Sequence, residues 1–144
     1  MDCGFCGQSK HYKWVNRIPL AKVESKLNGA GYRISRIVSM GVLSKNVSGR
    51  ADKIEIKDDS GATVIITAKD FRQILGPNDV RSTKFDASVQ GSELVLNGFG
   101  WGHGVGMCQW GAFGMSEKGK RCEEILKLYY PGSEITTIDK LPVR

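Results

Sequence analysis

Lys53-Ile54-Glu55-Ile56-Lys57-Asp58-Asp59-Ser60-Gly61-Ala62-Thr63-Val64-Ile65-Ile66-Thr67 alternates apolar with charged residues, breaks at four turn formers and resumes as a β-branched run. Period-two alternation on either side of such a turn predicts an antiparallel hairpin. Thr67 then stands as a helix N-cap, with Asp70 three residues on. Phe71, Ile74 and Leu75 face inward until Gly76-Pro77 stops the helix. A hairpin that runs straight into a helix does not build βαβ units. The expected class is α+β: a mixed, mainly antiparallel sheet with short helices and a Gly-rich extended segment.

Upstream, His11 to Val15 reads as a short strand, and Pro19 opens a helix with Leu20, Val23 and Leu27 on one face and Gly29 at its close. Tyr32 to Leu43 favours alternation and predicts a long strand. Downstream, Phe85 to Val89 and Glu93 to Leu96 form two strands around Gln90-Gly91-Ser92. Cys122 to Tyr130 predicts a helix burying Ile125, Leu126, Leu128 and Tyr129 and ending at Pro131-Gly132. Cys122 is read as a buried member of it.

The chain has 144 residues, enough for one core, and one domain over 1–144 is expected. Its composition, 40% hydrophobic and 25% charged, excludes disorder, and no apolar run is long enough to span a membrane. Met1 to Lys10 lacks the pattern of a secretory signal, so any export signal is expected outside this chain. Of the net charge of +6, the first fifty residues contribute nine basic side chains against two acidic ones. Such a local excess suits an anionic polymer (nucleic acid, an anionic membrane, a carboxylate-bearing glycan) or a plain solvated face.

Glycine is the compositional outlier at 18 residues. Five of them alternate in Gly98-Phe99-Gly100-Trp101-Gly102-His103-Gly104-Val105-Gly106-Met107, which on an extended chain would leave one face bare for a backbone or ligand to approach. The spacing does not fit the dinucleotide fingerprint, because Met107 and Gln109 stand where its last glycine is needed. The following stretch, Met107 to Met115, has helix-compatible spacing with Gly111 and Gly114 on one side. Trp110 and Phe113 are read as core, and Trp101 less so. His103 is either a satisfied core histidine or a polar group reaching a substrate or metal.

The run from Gly98 to Ala112, followed by Glu124-Ile125-Leu126-Lys127-Leu128-Tyr129-Tyr130-Pro131-Gly132, resembles the closing signature of the SpoIID/LytB domain, the stage II sporulation protein D family. Phe71-Arg72-Gln73-Ile74-Leu75-Gly76, Arg81-Ser82-Thr83-Lys84-Phe85 and Ser48-Gly49-Arg50 fit the same pattern. Cys3-Gly4-Phe5-Cys6 with His11-Tyr12-Lys13-Trp14 is similar to its cysteine-bearing branch. The resemblance implies action on peptidoglycan as a lytic transglycosylase or amidase enhancer, at the cell envelope outside the cytoplasmic membrane, on glycan strands stripped of peptide. It also implies a catalytic glutamate in an earlier segment, near a Glu-Met-Pro motif. This sequence looks like the C-terminal half of the domain, so no catalytic residue is assigned in it.

What remains is a substrate wall. A peptide-free strand keeps its lactyl carboxylates, and sugars bind by aromatic stacking and planar hydrogen bonds, to which Trp101, His103, Gln109 and Arg72 are suited. Asp58, Asp59 and Asp79 sit in turn sequences, and Glu123 and Glu124 open a helix, where they complement its dipole. None has a setting that would raise its pKa for acid catalysis. For the cysteines, Cys3, Cys6 and His11 resemble a zinc knuckle whose last ligand would fall on Asn16, so the finger does not close locally. Cys108, or His103 near it, would complete a zinc site. A Cys3–Cys6 redox pair and unconnected thiols stay open. The alternative function is a zinc-stabilised module for an anionic polymer such as nucleic acid.

Overall fold

The computed structural model describes residues 4–7 and 9–136, and the fold is α+β. The backbone divides into two compact units, residues 9–104 and, among those described, residues 4–7 with 105–136.

The first unit contains β1 (Lys13–Pro19), α1 (Leu20–Gly29), β2 (Ile37–Lys45), β3 (Ala51–Asp58), β4 (Thr63–Thr67), α2 (Ala68–Leu75), β5 (Phe85–Gln90) and β6 (Glu93–Phe99). Two antiparallel three-stranded sheets result, ordered β1-β6-β5 and β2-β3-β4. Alternation turns one side of each strand inward, so Ile54 and Ile56 of β3 and Leu94 and Leu96 of β6 are buried. Leu20, Val23 and Leu27 of α1, and Phe71 and Leu75 of α2, close over them. Each such side chain, fully buried, is worth about 1.5–3 kcal/mol of transfer free energy.

The caps and the main hairpin follow the sequence reading. Thr67 Oγ1 accepts from Asp70 N at 3.0 Å, and Gly76, at φ +98°, ends α2. Two strands differ from expectation. β1 runs on to Pro19, paired along its whole length with β6. β2 begins only at Ile37, because the Asn28 side chain binds both Ile34 N and Ile34 O at 2.8 Å and holds that residue in a turn-like connection.

The turn after β3 is organised by Asp58. Its carboxylate accepts from Ser60 Oγ (2.6 Å), Ser60 N, Ala62 N and Ser35 N (3.0 Å each). The Ser60 hydroxyl, then the Ser35 N–H, hold its pKa below the ordinary 3.8. A depressed folded-state pKa adds stability that is present above the unfolded value and lost as pH falls through the folded one. Asp58→Asn is therefore expected to lower the melting temperature at pH 7 and to flatten its fall below about pH 4. An acid-melting profile identical to wild type would contradict this.

The second unit holds α3 (Gln109–Glu117) and α4 (Cys122–Tyr129). Glu124 accepts from Arg121 N at 2.9 Å, so the acidic start of α4 is used as a cap. Gly111 is buried, and Gly114 is closely approached. A Cβ on Gly114 would lie 2.5 Å from the Phe5 carbonyl oxygen, so the small-residue side of α3 serves backbone contact as expected. Other expectations fail. Trp110 and Phe113 are 42% and 50% exposed and meet edge to face on the surface. Cys122 is exposed, and of the α4 set only Ile125 is buried, with Leu126, Leu128 and Tyr129 half-buried. The spacing predicts a helix, which forms, but a unit of 47 residues is too small to cover every ring.

Candidate functional site

The glycine run is a strand only as far as Phe99. Gly100, Gly102 and Gly104 have φ of +72°, +113° and +75°, so the expected extended segment is instead a succession of left-handed turns that an L side chain would strain. The bare face exists at two points. At Gly98 a Cβ would fall inside the Trp14 indole, and at Gly104 inside the Arg50 guanidinium.

Hydrogen bonds pin these turns. Ser82, which is buried, donates its hydroxyl to Phe99 O at 2.6 Å and accepts from Lys84 N at 3.1 Å. Trp14 Nε1 donates to Gly100 O at 2.8 Å, and Gly100 N to His11 O at 2.9 Å. Gly102 N donates to Arg81 O at 2.9 Å, and Ser82 and Gly102 form an isolated parallel bridge. The backbone around Trp101 is thereby fixed from both sides.

Trp101 is 49% exposed on this support. The His11 ring lies 4.7 Å from it, tilted by 52°, and the Arg81 guanidinium lies 5.7 Å above its face. Arg72 reaches the same place from α2, with Nε and Nη2 3.4 and 3.3 Å from Arg81 O. Phe99 carries Lys13 at 5.9 Å and Lys84 at 5.7 Å, with Tyr12 edge-on at 6.2 Å. Among the described ion pairs none uses Lys13, Arg72, Arg81 or Lys84, whereas Arg17 and Lys45 on the neighbouring strands have carboxylate partners. The result is two exposed rings among unpaired cations.

Of the sequence candidates, Trp101 and Arg72 are brought together through Arg81, and His103 is exposed two residues beyond Trp101. Gln109 opens α3 in the second unit and is exposed. His11 lies against Trp101 with its Nδ1 buried and unpartnered. Sequence reasoning gave no role to Arg81, Ser82 or Arg50, although each sits in a stretch matching the family pattern.

In the second unit Cys6 Sγ and Cys108 Sγ are 3.4 Å apart. Cys108 is also the N-cap of α3, its sulfur accepting from Gly111 N at 3.4 Å. Two sulfurs on one tetrahedral zinc stand about 3.7 Å apart, given Zn–S bonds of about 2.3 Å, so this pair fits two corners of such a site. Cys3 lies outside the described residues, and among the described residues no three His, Cys, Asp or Glu side chains gather as a metal site.

The chain belongs to the family described as Domain of unknown function (DUF8618), which matches residues 4–106. It is also 30% identical over 137 residues to stage II sporulation protein D of Bacillus subtilis, covering 92% of this chain and 36% of that protein. An uncharacterized protein of Brachyspira hyodysenteriae is 34% identical over 128 residues, 89% of this chain and 33% of its own length. The amidase enhancer of Bacillus subtilis is 35% identical over 75 residues, 52% of this chain and 11% of its own. These similarities support a relationship to stage II sporulation protein D. The chain spans about a third or less of most of the curated relatives it matches.

Proposed function

We propose that residues 9–104 carry a glycan-binding surface of a SpoIID-type protein acting at the cell envelope, outside the cytoplasmic membrane, on peptidoglycan strands stripped of peptide. The observation that carries this reading is Trp101, half-exposed on a backbone pinned by Ser82, His11 and Arg81, with the Arg81 guanidinium, which has no ion-pair partner among the described residues, 5.7 Å from its ring. An indole face stacks on a sugar ring, and the cations suit a strand bearing one carboxylate per muramic acid. His103 and Arg72 are proposed as flanking contacts.

This chain binds the strand and does not cut it. Glycoside cleavage needs a carboxylic acid that stays protonated near pH 7, a part that Asp58 and Glu124 do not fit because their surroundings hold both carboxyls below the ordinary range. Glu124 is held down first by Lys120 and then by Arg121 N. The test is co-sedimentation of the 144-residue chain with amidase-stripped strands, followed by chromatography of the supernatant. Binding with no anhydro-muramyl product is expected. Failure to sediment sinks the glycan reading, and product release by the pure chain sinks the assignment of catalysis elsewhere.

A second proposal rests on the thiol pair: Cys6 and Cys108, with Cys3, hold a structural zinc ion. The 3.4 Å separation of two sulfurs 102 residues apart supports it.

A further inference from the structure

We infer that Arg81 is the residue that reads the lactyl carboxylate, so that preference for stripped strands is set by one guanidinium lying on Trp101. The inference rests on the glycan reading and names the group on the sugar that is recognised.

Arg81 is unusual among the basic side chains of the first unit. Its guanidinium lies 5.7 Å from the Trp101 ring centroid, leaving the ring half-exposed, yet it makes no ion pair and no side-chain hydrogen bond among the described residues. Its Nε is shut off from solvent and lacks an acceptor. A charged donor in that state has lost hydration that nothing in the protein replaces. The His11 Nδ1 on the same indole is buried and unpartnered as well. With the Arg81 Nε and the His11 Nδ1 closed to solvent, the edge of the guanidinium that carries Nη1 and Nη2 is the part left for a planar acceptor beside the half-exposed ring.

The main chain of Arg81 is fixed more firmly than its head. Its carbonyl oxygen accepts from Gly102 N at 2.9 Å and faces Arg72 Nε and Nη2, and the next residue, Ser82, is buried. The guanidinium hangs from a rigid anchor and already rests over the indole, and that stacking limits the rotamer freedom lost when it takes a ligand.

A carboxylate meets a guanidinium through two parallel hydrogen bonds, which a neutral amide or alcohol cannot reproduce. A sugar stacked on Trp101 would carry its lactyl group at the ring edge, within reach of a guanidinium 5.7 Å from the indole centroid. With a peptide attached, that carboxylate is an uncharged amide and the pairing is lost. Lys13 and Lys84 beside Phe99 raise the local potential without fixing geometry, since an ammonium is a point charge.

The test compares two probes on the same protein: amidase-stripped strands, and the same strands with their carboxyl groups chemically reduced to alcohols. By titration calorimetry, the wild-type chain should bind the stripped strands about tenfold more tightly. Arg81→Gln should bind both probes as the wild type binds the reduced one. Arg81→Met, which keeps an apolar stem on the indole, should erase the same ratio if Arg81→Gln does not fold. A wild-type ratio near one overturns the carboxylate assignment while leaving glycan binding intact. A ratio that survives in a folded variant removes Arg81 from the role. Binding of neither probe by wild type overturns both this inference and the glycan reading.

Discussion

Gly98→Ala is expected to cost about 3 kcal/mol, the upper part of the range for forcing an extra methyl into a packed core. The site leaves nowhere for it to go. Gly98 pairs with Trp14 across β1 and β6, and the added Cβ would fall among three atoms of the indole. Trp14 is buried at 4% exposure and cannot swing outward without losing its Nε1 hydrogen bond to Gly100 O. Displacing it would also loosen the start of the turn that carries Trp101. For a chain of this length the melting temperature should fall by roughly 6–12 °C. Gly41→Ala is the control: it lies in β2 with open space around its Cβ and no positive φ, and should shift the melting temperature by less than about 2 °C. Equal melting points for Gly98→Ala and Gly41→Ala would contradict this account of the strand end.

The next largest effect is expected from the thiol pair. If Cys6 and Cys108 hold zinc with Cys3, the ion ties residues about a hundred positions apart and its binding energy enters folding. At free zinc a hundredfold above its dissociation constant the stabilisation is about 2.7 kcal/mol, so chelation should lower the melting temperature by about 5–11 °C. Elemental analysis of protein purified under reducing conditions should find about one equivalent of zinc, lost in Cys108→Ser. Cys122→Ser should keep it, because that thiol is exposed at the start of α4. Absence of zinc, or a melting point indifferent to chelator, would sink the proposal.

Local rules carried most of the fold. The Asp58 to Gly61 turn, the Thr67 cap and the Leu20, Val23, Leu27 stripe are each decided by chemistry within a few residues, and each is found where the pattern puts it. The glycine run departs from the extended segment its spacing predicts for the opposite reason. Alternation alone cannot separate an extended chain from a string of left-handed turns, since glycine permits both. The choice is made by Ser82, His11 and Arg81, which are remote in sequence. The same holds for the site. Trp101 stood out by type and setting, but Arg81 acquires meaning only from the ring it lies beside and the acceptor it lacks. Trp110 and Phe113 show the converse limit: a ring spaced for burial stays exposed where its unit has too little mass to cover it.

The central claim is that Trp101 is the platform for a peptide-free glycan strand. Its most direct test is calorimetric titration of the wild-type chain and Trp101→Ala with amidase-stripped strands, with melting temperatures measured alongside. Removing a stacking ring at a half-exposed site should weaken binding about tenfold, near 1.4 kcal/mol. The melting temperature should barely move, because the turn is held by backbone and Ser82 hydrogen bonds and not by the indole. Undiminished affinity in the folded Trp101→Ala chain would contradict the account.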